Sequence, residues 1–388
     1  MRIIYYDFGS GFLADHHLFH AIDELTRKGN DVIYVNPMKE LGEDASQEAC
    51  CELLLSRVRA EHKKAGVDLF FSVSWDNALT PEAVQDISKM GIPTVSFSTD
   101  DLSHPFRVEK ITSAFDLCCS SARESHDILR GYGAKKVISM PFAANPHFYH
   151  PVPATEQNCV CFIGTAYGAR ARGIATMAQA GVPVHVHGAS PMDVYGKNKG
   201  NPITRAFGNL ADASERFFKG MAVPGGRKCI KAAVLRSVQE LYSSPPEKDP
   251  TKGTVEYLGG AGFEEMAQIF CQSALSFGSI EVASTHVLKD PLLFIRVREF
   301  EVAMSGGVHL VNRFPELEEY FEDGVEMLYY DSHEELVDKA RFYLDPAQHD
   351  TRMKIREAAA KRALGEHTWS HRFAEVGREL GLSFDVIS

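Results

Sequence analysis

Arg298 and Glu301 lie three residues apart in VREFEVAMSGGVHLVN, a mostly apolar stretch that reads as a helix ending at Gly306-Gly307 and followed by a strand. On a helix that spacing puts both side chains on one face, so they can reach one ligand. A guanidinium binds phosphate oxygens in pairs, and a carboxylate can accept both hydroxyls of a ribose. The glycine pair would stop the helix and let the following chain approach closely. The plainer alternative is an intrahelical ion pair on a half-exposed face.

Three other stretches carry comparable chemistry. In FIGTAYGARARG, residues 162–173, a strand ending at Gly164-Thr165 runs into a helix with Arg170 and Arg172 near its start. Backbone donors, a helix dipole and guanidinium groups then converge as a diphosphate site would need; an ordinary loop with exposed arginines is the alternative. The stretch GSGFLA, residues 9–14, formally matches a dinucleotide fingerprint, with Gly11 as its second glycine. The next strand ends in Val35-Asn36-Pro37 without an acidic residue for a ribose, so Gly11 reads as allowing close backbone approach. Asp100 and Asp101 end a strand and are the candidates for a general base, with a cap or turn as the plainer role. His16, after the first glycine loop, could face a donor group.

The elements that would position these residues follow one rhythm. RIIYYDF, DVIYVNP, VDLFFSVS, IPTVSFSTDD, FDLCCSS and KKVISMPF are apolar strand-like runs. Amphipathic helices such as HHLFHAIDELTRKGN and PEAVQDISKMG separate several of them, which predicts a parallel sheet with helices on both faces. A polar linker is expected at 151–157, and a second alternation follows: CVCFIG, a helix from about Arg172 to Gly181, VPVHVHG, VEYLGG, a helix from about Phe263, ALSFGS, VHLVN and MLYYD. The fold class is α/β, with two Rossmann-like domains at 1–150 and 158–365 and a mainly helical segment at 366–388 crossing back toward the first. Residues 195–253, rich in lysine, proline and glycine, break the rhythm and read as a helical insertion in the second domain.

The chain has 388 residues, enough for two domains, and its 44% hydrophobic and 24% charged residues are ordinary for a soluble protein. A formal charge of -11 argues against a general nucleic-acid surface. No run is long and apolar enough to span a bilayer and the N-terminus lacks signal-peptide features, so a cytoplasmic protein is expected. The cysteines, adjacent at Cys50-Cys51 and Cys118-Cys119 or two apart at Cys159 and Cys161, read as small apolar residues, and no metal is expected.

Three pieces, REFEVAMSGGVHLVNRFPELEEYFEDGVEMLYYDSHEEL, EHTWSHRF at 366–373 and FIGTAYGAR, resemble the CgeB-like glycosyltransferases of the GT-B class. GIPTVSFSTDD and GAKKVISMPFAANPHFYHP extend the likeness over most of the chain outside 195–253. The resemblance implies two Rossmann-like domains facing a cleft, a nucleotide-sugar donor held mainly by the second, and a glycan, protein or small-molecule acceptor held by the first. It places Glu301 at the donor ribose with Arg298 beside it, and Gly164 with Arg170 or Arg172 at the diphosphate. His187-Gly188 and Tyr257-Leu258-Gly259 fall where the base is expected.

Arginines and helix N-termini can stabilise a leaving diphosphate without metal, and the sequence has no D-x-D motif, so metal-independent sugar transfer with no cofactor beyond the donor is expected. One departure stands out: many retaining GT-B enzymes carry a glutamate eight positions before the ribose-binding one, and here that position is Leu293. Retention and inversion at the sugar carbon both stay open. So do a sugar-nucleotide epimerase and a non-catalytic scaffold that binds nucleotide or a partner.

Overall fold

The structure, a computed structural model, describes residues 1–9, 19–99, 102–188, 218–242, 254–282 and 285–384. The chain divides into two compact units, Met1–Asn145 with His367–Ser388, and Pro146–Glu366. Residues 151–156, within the expected linker, are irregular, and the first strand of the second unit starts at Gln157.

The first unit holds a six-stranded parallel sheet: β1 (Arg2–Asp7), β2 (Asp31–Val35), β3 (Leu69–Val73), β4 (Thr94–Ser98), β5 (Leu117–Ser120) and β6 (Val137–Ser139). Their order is β2-β1-β3-β4-β5-β6. The apolar runs RIIYYD and LFFSV are almost wholly buried, as strands covered on both faces must be. The helices Gln47–Ala65 and Pro81–Lys89 start at Ser46 and Thr80, whose hydroxyls accept the N–H groups of Ala49 and Ala83. The first, of 19 residues, has no counterpart among the elements expected from the sequence. Its apolar stripe is narrow, Cys50, Cys51, Leu54 and Val58, so the periodic signal is weak.

The unit closes with the last helix, Trp369–Leu380. Glu24, on the helix Phe19–Arg27, accepts the N–H groups of Trp369 at 3.0 Å and Ser370 at 2.8 Å. A carboxylate thus satisfies the orphan donors of a helix N-terminus. Arg372 donates from the same helix to the carbonyls of Pro141 and Phe142.

The second unit repeats the architecture with β7 (Gln157–Ile163), β8 (Val184–His187), β9 (Val255–Tyr257), β10 (Ser273–Phe277), β11 (His309–Asn312) and β12 (Leu328–Tyr330). The order is β12-β11-β10-β7-β8-β9, again parallel throughout. Both sheets are therefore doubly wound. In each, the chain starts in the middle, fills one side and returns to fill the other, which creates a switch point at β1/β3 and at β7/β10. Ligands of such sheets bind beyond the carboxyl ends of the strands at that point. No helix among the described residues is long and apolar enough to cross a membrane.

Candidate functional site

At the β7/β10 switch point the backbone is shaped by glycine. Gly164 follows β7 with a φ of 139°, and its N–H donates to the carbonyl of His187 at 3.0 Å. A Cβ on Gly188 would sit 2.0 Å from the Gly164 carbonyl oxygen, so only glycine permits the ends of β7 and β8 to lie this close. Gly168, with φ 56°, then caps the helix Ala169–Gln179. The sequence alone places this helix start near Arg172; the left-handed turn at Gly168 moves it three residues earlier.

Arg170 is consequently in the first turn of that helix. Its guanidinium lies 5.0 Å from the Tyr167 ring centroid and donates to the Thr165 carbonyl at 3.4 Å. Burial, followed by the nearby charge of Arg296, pushes its pKa down to about 10, and Arg298 adds to the same repulsion. Three guanidinium groups from two helix N-termini thus crowd one region.

The helix Val297–Met304 supplies the other two arginines. Its N-cap is Arg296, whose N–H donates to Glu299 Oε2 at 2.6 Å and whose Nη2 donates to the Glu281 carbonyl at 3.1 Å. The buried Nε of Arg296 has no partner among the described residues. Arg298 Nη1 donates to Glu301 Oε2 at 2.6 Å, and its guanidinium lies 5.7 Å from the Phe270 ring centroid. The side chain of Glu301 is only 2% exposed. The intrahelical pair is therefore present, with its carboxylate buried and its guanidinium partly exposed.

His187 ends β8, and burial with His185 beside it lowers its pKa. Leu258, exposed, follows β9 and its N–H donates to the Val186 carbonyl. Tyr257 is the last residue of β9. Gly306 and Gly307 are buried among protein atoms: an added Cβ would lie 3.4 Å from Pro151 Cγ and 2.7 Å from Val302 Cγ1 respectively. Arg172 is exposed, and its charge lowers the pKa of Glu281 against a larger upward push from burial. His16, Gly11, Asp100 and Asp101 lie outside the described residues.

Several participants are not among the residues singled out from sequence. Arg296, two residues before Arg298, is one of them. Glu281 lies across an antiparallel bridge from Leu293, the position of the departure from the family pattern. Glu299 and His309 form a buried pair at 3.8 Å under the arginines. His309 has no sequence signal beyond its place in a strand, whereas Glu299 could have been found as the third residue of a helix starting after Arg296. Among the described residues no cluster of acidic, histidine or cysteine side chains has the form of a metal site.

The fold and this switch-point site define a class, the GT-B architecture of two Rossmann-like units. Solved structures of that class are similar over nearly the whole chain. A glycosyltransferase from Rickettsia africae has a TM-score of 0.60 at 10% identity, covering 98% of this chain and 99% of that one. HepE from Anabaena, solved with UDP and glucose, gives 0.56 at 14%, covering 98% and 99%. Sucrose-phosphate synthase from Thermosynechococcus elongatus gives 0.55 at 12%, covering 98% of each chain. More particularly, residues 230–377 match the family described as glycosyl transferase-like, a segment that includes Arg296, Arg298 and Glu301. The match begins inside the expected insertion, on the helix Pro224–Tyr242. No curated protein matches the sequence.

Proposed function

We propose that this chain is a glycosyltransferase that draws a sugar from a nucleotide donor, with the donor diphosphate held by Arg170, Arg296 and Arg298. The observation that carries this reading is the convergence of three guanidinium groups and two helix N-termini beyond β7 and β10. Burial first, and then the neighbouring arginines, depress Arg170, and a dianionic ligand relieves the repulsive part. Gly164 and Gly188 leave backbone room for the phosphates. Glu301 is the candidate for the ribose hydroxyls, and His187, Tyr257 and Leu258 stand at the strand ends where a base would lie.

In the reaction, an acceptor hydroxyl oxygen bonds to the anomeric carbon as the bond to the diphosphate breaks, and the hydroxyl proton leaves to a base. Arginines and helix N-termini stabilise the charge that builds on the leaving diphosphate, which is the electrostatic task a divalent cation performs elsewhere. Transfer without added metal belongs to the reading. Asp100, Asp101 and His16 are the candidates for the base. Membership of the CgeB-like subgroup is supported by the quoted C-terminal stretches. A cytoplasmic setting is supported by eight free cysteines.

The test is a thermal-shift titration of the full chain with UDP, GDP, CDP, dTDP and ADP, each with and without EDTA. A nucleotide at about 100 times its Kd adds about 2.7 kcal/mol, which raises the melting temperature measurably. The expected result is a shift with one nucleotide that persists in EDTA and is at least halved, at the same nucleotide concentration, in Arg170→Ala. Stability indifferent to all five would remove the donor site, and donor turnover without any acceptor would favour the epimerase.

A further inference from the structure

Glu301 has a second polar neighbour besides Arg298. Tyr149 lies in the segment that opens the second unit and is 2% exposed. On one side of it the Phe148 ring meets that of Phe263 edge to face, with centroids 5.3 Å apart; on the other, His150 Nδ1 lies 3.2 Å from the Pro146 carbonyl. These contacts hold the segment beside the helix Phe263–Gln272. The Tyr149 hydroxyl then lies 3.7 Å from Met266 Sδ, and Arg298 Nη1 reaches the same sulfur at 2.9 Å.

A phenol has one proton to donate. A thioether is a weak acceptor and a carboxylate a strong one, so of Met266 and Glu301 the carboxylate is the better partner. Burial raises the Tyr149 pKa, and the charge of Glu301 and its hydrogen bond with the hydroxyl raise it further, against an opposing effect of Arg298. The phenol therefore stays neutral and keeps its proton to donate.

This second hold on Glu301 matters because Arg298 has two tasks. It donates to the Glu301 carboxylate and is a candidate for the donor diphosphate. A guanidinium that turned toward phosphate would strand a buried carboxylate, which is costly. With the phenol in place, Glu301 keeps a donor while Arg298 turns. A carboxylate offers about four acceptor positions, so the phenol and one arginine N–H leave about two for a pair of adjacent hydroxyls.

We propose that Tyr149 is a positioning residue, which holds the Glu301 carboxylate in the orientation that accepts both hydroxyls of a nucleotide ribose and so makes the site select ribonucleotides. The inference rests on the reading of Glu301 as the ribose ligand.

The test is calorimetric titration of the full chain with UDP, GDP, CDP and ADP, each beside its 2′,3′-dideoxy form. The wild type should prefer one ribonucleotide over its dideoxy form by at least about tenfold, the worth of a hydrogen bond to a charged group. Tyr149→Phe, which keeps the ring, should weaken that ribonucleotide about fivefold and move the dideoxy form by less than about twofold. In a Glu301→Gln background the same change should move neither by more than about twofold, since its effect runs through the carboxylate. Equal weakening of both forms by Tyr149→Phe, or an undiminished preference for ribose, overturns the proposal. Should Tyr149→Phe alone not fold, recovery of folding in the double variant with Glu301→Gln supports it, and failure of both overturns it. Nucleotide binding by the wild type without preference for ribose removes the Glu301 reading and this proposal with it, and leaves the diphosphate site standing. Binding of no nucleotide at all rejects the donor site itself, and the proposal falls with it.

Discussion

Arg298 and Glu301 are joined at 2.6 Å one helical turn apart, with the carboxylate almost fully withdrawn from solvent. A charge pair placed in an interior is costly to build and more costly to break, because removing one partner strands the other. Arg298→Ala should therefore destabilise the chain by about 3 kcal/mol. The double variant Arg298→Met with Glu301→Leu should recover most of that loss in a denaturant melt yet bind no nucleotide. A double variant that still binds UDP would mean the pair serves only the fold.

Arg170 behaves oppositely. Its burial and the neighbouring arginines already disfavour its charge, so Arg170→Ala should leave the melting temperature unchanged or slightly higher. Losing a charge-assisted contact to phosphate of about 1.5–3 kcal/mol corresponds to a 10- to 150-fold weaker nucleoside diphosphate. Calorimetric titration of wild type and variant with the same nucleotide measures this.

Gly188→Ala tests the close approach of two strand ends. Its Cβ would be built 2.0 Å from the Gly164 carbonyl oxygen, a backbone atom with no rotamer to yield. We expect a loss of about 2 kcal/mol or more together with loss of nucleotide binding, since the loop that must shift is the one proposed to hold the phosphates. A variant as stable as wild type would show that the two loops are not held together.

Asp7 gives a pH prediction. Burial raises its pKa from 3.8 to about 6, against the hydrogen bonds from Tyr34 and Asn36 that favour its charge. A carboxylate with a raised folded pKa favours the folded state most below pH 3.8, and that contribution is lost as pH rises through 6. Asp7→Asn, which keeps an acceptor for both neighbours, should thus melt higher than wild type at pH 8, with the advantage fading by pH 4. Parallel melting curves across that interval would refute the shift.

Both sheets were readable from the sequence because buried parallel strands are continuous apolar runs, as in RIIYYD and SALSF. The spacing of Arg298 and Glu301 also carried over, since it is local to one helix. What could not be read depends on neighbours far along the chain. Arg170 and Arg298 are 128 positions apart, and nothing in either stretch announces that the two will share a charge field. Glu299 and His309 likewise meet only through the packing of a helix on the strand after it. The long helix Gln47–Ala65 escaped notice because charged residues interrupt its apolar stripe at nearly every turn.

The contact between Glu24 and the amides of Trp369 and Ser370 joins positions 345 and 346 residues apart. During synthesis the carboxylate emerges before the second unit and its partners only after it. The N-terminal sheet must wait, with one helix missing from its flank, while the whole second unit is made. Of the two units, the one begun earlier is thus the one completed later, and a chain stopped after residue 366 would carry a finished second unit and an unfinished first.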